Sequence, residues 1–174
     1  MQSEGGRAAI IEDERVDGES VSSSRRRAVL GAGGVAEAAE LLGSPFFISG
    51  EVRHGRGDGK AWGFPTVNTD VRADIPLRRG VYATAVRVGD EVYCGVTNLG
   101  TCPSFGEREL HAETMLLDFD GDLYGRRVDI YFLDRLRDER GFSSPEELKK
   151  QIELDSRIAK ERIEKSKWQE IGLR

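Results

Sequence analysis

The sequence predicts a mainly β domain, an antiparallel sandwich or barrel, followed by one long C-terminal helix. Three observations carry this. Between about Pro45 and Leu136 the chain offers several short apolar or alternating runs at close intervals, with no intervening helices. Two of those runs, in "GVYATAVRVGDEVYCGVTNLG", meet at Gly89-Asp90, a two-residue hairpin signal. From Ser144 onward, "SSPEELKKQIELDSRIAKERIEKSKW" switches to apolar residues at helical spacing.

The elements follow in order. Residues 1–45 open with a short strand-like piece, "AAIIEDE", and a polar turn, "VDGESVSSS". Then "RRRAVLGAGG" and "VAEAAELLG" read as two short helices broken by glycines. The second places Val35, Ala38, Ala39 and Leu42 on one face. This zone is too small for a core of its own, so it must dock on the rest or stay partly loose. The β zone starts with "FFISGEV" and ends with "HAETMLLDFDGDLYGRRVDIYFLDRL", two runs around an Asp120-Gly121-Asp122 turn. In the final helix Ser144, Pro145 and Glu147 occupy the Ncap, N1 and N3 positions, a capping box with proline where the missing N–H costs nothing. Leu148, Ile152, Ala159 and Ile163 trace its apolar face. Asp155 falls on that face too, where a carboxylate needs a partner or the edge of the packed stripe.

Composition narrows the function. The 174 residues suit one domain with a core of ordinary size. Acids outnumber Lys and Arg 31 to 26, a net charge of −5, which argues against a nucleic-acid backbone or an anionic membrane as the main partner. The two cysteines, Cys94 and Cys102, match neither a zinc knuckle nor a redox pair and read as ordinary thiols. No apolar run approaches the roughly 20 residues of a membrane span, and "MQSEGGRAAIIEDE" lacks the order of a signal peptide. A cytoplasmic monomer is expected.

Three places invite chemistry. In "GEVRHGRGDGKAWGFPTVN" a glycine recurs every few residues before Pro65, Thr66 and Asn68. On an extended segment Thr66 and Asn68 point the same way, and both offer hard oxygen donors suited to Mg²⁺. Gly50, Gly55, Gly57, Gly59 and Gly63 would let backbone N–H groups approach phosphates, and Pro65 would fix the chain before the ligands. The plainer alternative is a glycine-rich surface loop entering a strand. In "HAETMLLDF", period two puts His111, Glu113, Met115, Leu117 and Phe119 on one face. Glu113 is then expected toward an apolar interior, a setting that would make it a better base for a substrate hydroxyl, or at the strand's wet end paired with an Arg. In "DRLRDERGF", Arg135, Arg137 and Arg140 are either a phosphate or planar-ring site or a solvated loop. His54 and His111 are too far apart in sequence to suggest one metal site, and Trp62 and Trp168 read as packing residues.

Taken in order, "GEVRHGRGDGKAWGFPTVN", "GVYA", "NLGTCPSFG", "ETMLLDFDGDLYG" and "LRDERGFSSPEELKKQIELD" resemble the riboflavin kinase family. The resemblance spans roughly Phe46 to Lys160. It implies a six-stranded antiparallel Greek-key β-barrel with the C-terminal helix beside it. It implies transfer of the γ-phosphoryl of ATP to the 5′-hydroxyl of riboflavin, giving FMN and ADP. By position, Thr66 and Asn68 look like the Mg-nucleotide ligands and Glu113 like the general base. Gly55, Gly57, Gly59, Gly63, Pro65 and Asn98 look like the phosphate side, and Arg137 with Phe142 the flavin side. The chain departs from many bacterial members at Cys102, which replaces an arginine, at Ser104, which replaces a threonine, and at Met115, often histidine.

"SVSSSRRRAVLGAGGVAEAAELLGSPF" is similar to the end of the FMN adenylyltransferase module of bifunctional bacterial riboflavin kinase/FAD synthetases. No nucleotide-binding fold or histidine motif stands before it in this sequence, so FAD synthesis is not expected. The resulting organisation is residues 1–45 as a remnant of that module, 46–160 as the kinase domain and 161–174 as a helical tail. A non-catalytic flavin- or nucleotide-binding module is the alternative. An OB-like nucleic-acid barrel is disfavoured by the acidic balance and by the lack of a basic patch interleaved with aromatics.

Overall fold

The computed structural model describes residues 23–53, 66–71, 74–101 and 110–166. Two short helices, α1 (Ser23–Ala32) and α2 (Val35–Leu42), precede six strands: β1 (Phe47–Arg53), β2 (Thr66–Asp70), β3 (Gly80–Val88), β4 (Glu91–Thr101), β5 (Leu110–Leu116) and β6 (Arg127–Arg137). A 21-residue helix, α3 (Pro145–Lys165), follows. The strands close into a barrel in the order β1-β2-β5-β4-β3-β6, and every neighbouring pair is antiparallel. Strands β3, β4 and β5 form a meander and β6 returns beside β3, which is the Greek-key order.

The β3–β4 hairpin turns at Gly89-Asp90, with Val88 opposite Glu91. Gly89 has φ 63°, a conformation that suits glycine at the first central position of a primed turn. The runs on either side of Asp120-Gly121-Asp122 are β5 and β6, but they do not pair with each other; β5 lies between β2 and β4. The run before that turn is also shorter than its alternation suggests. Asp118 takes φ 58° just beyond Leu116, which ends the alternation and sends Phe119 to the other core, edge-on to Tyr93.

Period two divides each strand between two cores. The lumen holds Ile48, Val52, Val67, Tyr82, Val86, Leu99, Ala112, Leu116, Val128, Ile130 and Phe132. Within the barrel wall, Thr84, Thr97 and Thr114 satisfy one another through two hydroxyl bonds of 2.9 Å. The described part of the first zone, from Ser23, docks here: Leu30, Val35 and Ala38 join the lumen core. Helix α1 begins at Ser23, ahead of the arginine run. Gly33, at φ 91°, breaks the two helices where a Cβ would press on the Arg135 side chain. The Arg78 N–H donates to the Leu30 carbonyl at 3.1 Å, tying α1 to the segment before β3.

The second core lies outside the barrel. Ile152, Ala159 and Ile163 of α3 cover Val81, Ala83, Val96, Met115, Leu117 and Leu133. At the helix start the Ser144 hydroxyl accepts from the Glu147 N–H at 3.2 Å, with Pro145 at N1. The reciprocal half of the box shifts by one residue, since Glu147 Oε2 accepts from the Ser143 N–H and hydroxyl. The "AAIIEDE" segment, His54, Trp62, Cys102, Ser104 and Trp168 lie outside the described residues.

Candidate active site

The barrel wall assembles the site by register. Asn68 of β2 stands opposite Glu113 of β5, and Glu113 stands opposite Asn98 of β4. Asn98 is opposite Val81 of β3, and Val81 is opposite Arg137 of β6. These five residues form one row across the outer face, because cross-strand partners share a face. Neighbouring strands lie about 4.8 Å apart, so Glu113 and Arg137 are separated by roughly 14 Å along the row.

At the β2 end, Thr66 and Asn68 face outward while Val67 and Thr69, which alternate with them, are buried. The Thr66 hydroxyl donates to Glu113 Oε1 at 2.9 Å. Glu113 is exposed. The expectation of an apolar interior is therefore corrected: Met115 and Leu117 share its face, but only they lie under α3. Glu113, nearer the strand's start, is in the open, and among the described residues a threonine hydroxyl partners it rather than an arginine. Two residues back, His111 Nδ1 lies 3.6 Å from Asp70 Oδ1, and Asp70 also pairs with Arg53 at 2.9 Å.

The donor set offers oxygen ligands that fit a divalent cation. A Thr66 hydroxyl that spends its proton on Glu113 keeps its lone pairs for a cation. Asn98 Oδ1 is buried and has no hydrogen-bond partner, an acceptor that a ligand would satisfy. Among the described residues no group of three or more His, Cys, Asp or Glu could hold a metal ion. The cation's charge would then be balanced mainly by phosphates, the usual arrangement for Mg²⁺.

At the other end, Arg137 and Arg135 part company. A register shift in β6 at the β3 pairing sets Arg137 opposite Val81 and Arg135 opposite Tyr82, two neighbours on opposite faces of β3. Arg135 turns to the α1 end, over the Tyr82 ring and bonded to the Arg79 carbonyl and to Asp138. Arg137 places Nε and Nη2 on the Asp155 carboxylate at 3.0 and 2.8 Å, and Nη1 on the Asp138 carbonyl at 3.0 Å. That answers why Asp155 sits on the apolar face of α3. Phe142 lies beneath two guanidiniums, Arg137 at 5.8 Å and Arg140 at 4.8 Å from its centroid.

Thr66, Asn68, Asn98 and Glu113 thus meet in one patch, and Arg137 and Phe142 stand at the far end of the same row. Gly55, Gly57, Gly59, Gly63 and Pro65 lie outside the described residues. Gly50 is corrected: it lies within β1 opposite Val128, and a Cβ there would collide with the Thr69 methyl, so it serves packing rather than a phosphate loop. Asn98, expected on the phosphate side from its motif, and Asp155, a carboxylate in an apolar helical stripe, are placed by neighbours on other strands and helices.

A family model described as riboflavin kinase matches residues 42–163. The bifunctional riboflavin kinase/FMN adenylyltransferase of Escherichia coli K12 is 40% identical over 142 residues, covering 81% of this chain and 45% of that protein. The chain therefore spans about half the length of the curated relatives it matches. A crystal structure of riboflavin kinase from Trypanosoma brucei superposes with a TM-score of 0.56 at 28% identity, covering 75% of this chain and 87% of that one. Another, described as a macrolide-efflux protein from Streptococcus pneumoniae, has a TM-score of 0.75 at 33% identity over 85% of this chain and 49% of its own. Among the described residues no helix is long and apolar enough to cross a membrane. A Greek-key barrel with an outward Thr-Asn-Glu patch, matched over this span, places the chain in the riboflavin kinase family.

Proposed function

We propose that this chain transfers the γ-phosphoryl of ATP to the 5′-hydroxyl of riboflavin, releasing ADP and FMN. The observation that carries this is the side-by-side placement of Asn68, Glu113 and Asn98, with Thr66 bonded to Glu113. Glu113 would accept the hydroxyl proton as the substrate oxygen bonds to the γ-phosphorus and the bond to the ADP oxygen breaks. Thr66 holds that carboxylate in place. Thr66, Asn68 and the unpartnered Asn98 oxygen would hold the Mg-nucleotide. A divalent cation held there by Thr66, Asn68 and Asn98 would supply charge neutralisation at the phosphates. The flavin ring would lie toward Phe142 and Arg137, so that positioning and electrostatics do most of the work.

Chromatographic assay of FMN from riboflavin, ATP and Mg²⁺ tests the reading, with E113Q alongside. Wild type is expected to form FMN only with metal, and to stop at FMN without making FAD. E113Q keeps the shape and an oxygen for Thr66, and turnover should fall on the order of 10²-fold or more, the usual worth of a general base. Flavin binding without FMN would move the protein to a non-catalytic binding module. Full turnover by E113Q would remove the base assignment, and FAD among the products would overturn the expectation of kinase activity alone.

A further inference from the structure

We propose that Asp155 of α3 is a positioning residue that sets the flavin end of the site through Arg137. This rests on the kinase reading above. Asp155 is 3% exposed and sits on a helix face otherwise packed with Ile152, Ala159 and Ile163. A buried ion pair is poor at stabilising a fold, since an apolar pair of similar volume often does as well or better. What the pair supplies is orientation. The Arg137 fork meets both Asp155 oxygens, and Gln151 Nε2 donates to Oδ1 at 2.7 Å, so the carboxylate is itself held from a second side. A planar guanidinium bound this way cannot rotate about its own axis.

Arg137 passes that constraint on. Nη1 holds the Asp138 carbonyl, the first residue after β6, and the guanidinium lies over Phe142. Arg140 lies over the same ring and pairs with Glu147 at 3.6 Å. The Glu139 carboxylate packs against Gly100 at the end of β4, two residues beyond Asn98, where a side chain would displace it. Segment 138–143 is thereby strapped across the barrel from the Arg137 end of the row to the end of β4. Asp155 touches neither the row's nucleotide end nor Glu113. Its loss should therefore loosen the flavin ring while leaving the nucleotide in place.

The test titrates the full chain with riboflavin by fluorescence quenching in the presence of MgADP, and separately with MgADP, in wild type, D155N, R137M and the double variant R137M/D155L. D155N and R137M should weaken riboflavin binding to a similar degree, on the order of tenfold, the lower end of what loss of an orienting partner costs. MgADP affinity should change less than about twofold. Because Asp155 acts through Arg137, the double variant should bind riboflavin no more weakly than R137M alone. It should also stay folded, since both charges are removed together. If D155N fails to fold, the double variant decides. A folded variant lacking Asp155 that binds riboflavin like wild type overturns the proposal, as does parallel loss of riboflavin and MgADP. Riboflavin affinity needs no turnover, so a wild type that binds flavin but forms no FMN defeats the kinase reading and leaves this one testable. A wild type that binds no riboflavin overturns both.

Discussion

Replacing Leu30 with Ala tests whether α1 and α2 belong to the barrel's folding unit. Leu30 is 3% exposed and joins the lumen core, although it lies far outside the β zone in sequence. The substitution removes three carbons, at about 0.8 kcal/mol each, or about 2.4 kcal/mol of lost transfer energy. Incomplete collapse around the cavity adds to that, so about 3 kcal/mol is expected, inside the range for buried Leu→Ala. For a urea slope of about 2 kcal/mol/M, the unfolding midpoint should fall by roughly 1.5 M. Leu154→Ala is the control: Leu154 is 37% exposed on the outer side of α3, and its loss should cost less than about 0.5 kcal/mol. If L30A and L154A unfold at the same urea concentration, the helices do not share the barrel's stability.

Two further outcomes follow from the geometry. Gly50→Ala drives a methyl into Thr69, whose branched side chain is 1% exposed and has little rotamer freedom; overpacking should cost about 1–3 kcal/mol, read as a lower urea midpoint, and unchanged stability would contradict the close approach of β1 and β2. Asp138 is hydrogen-bonded by Arg135, with Arg78 nearby, and these guanidiniums hold its carboxyl below the ordinary range. A carboxylate depressed in this way stabilises the fold above its unfolded value and loses that contribution as pH falls through its folded value. D138N should therefore be less stable than wild type at neutral pH and converge with it in acid, and a difference that does not vary with pH would refute the pairing.

The general architecture was legible because it depends on local pattern. The Gly89-Asp90 turn, the strand runs and the Ser144–Pro145 cap each state their own structure over a few residues. Period two also assigned Thr66 with Asn68, and Glu113 with Met115, to common faces correctly. Burial was harder to read. Glu113 and Met115 share a face, yet Met115 is 7% exposed and Glu113 is open. The difference comes from where α3 ends its coverage, which no strand periodicity encodes. The register shift of β6 opposite Val81 and Tyr82 likewise separates Arg135 from Arg137, residues that plain alternation would keep together.

By itself, then, the sequence determined the elements and the family, and put Thr66 with Asn68 on one strand face, since these rest on short-range spacing and motif order. Only the tertiary structure decided what stands beside what. Closure of the barrel in the order β1-β2-β5-β4-β3-β6 brings Asn98, 30 residues from Asn68, into the same row. The docking of α3 gives the buried Asp155 its arginine. Cross-strand register and helix docking are set by the joint burial of many distant apolar residues, and no local stretch of chain contains that information.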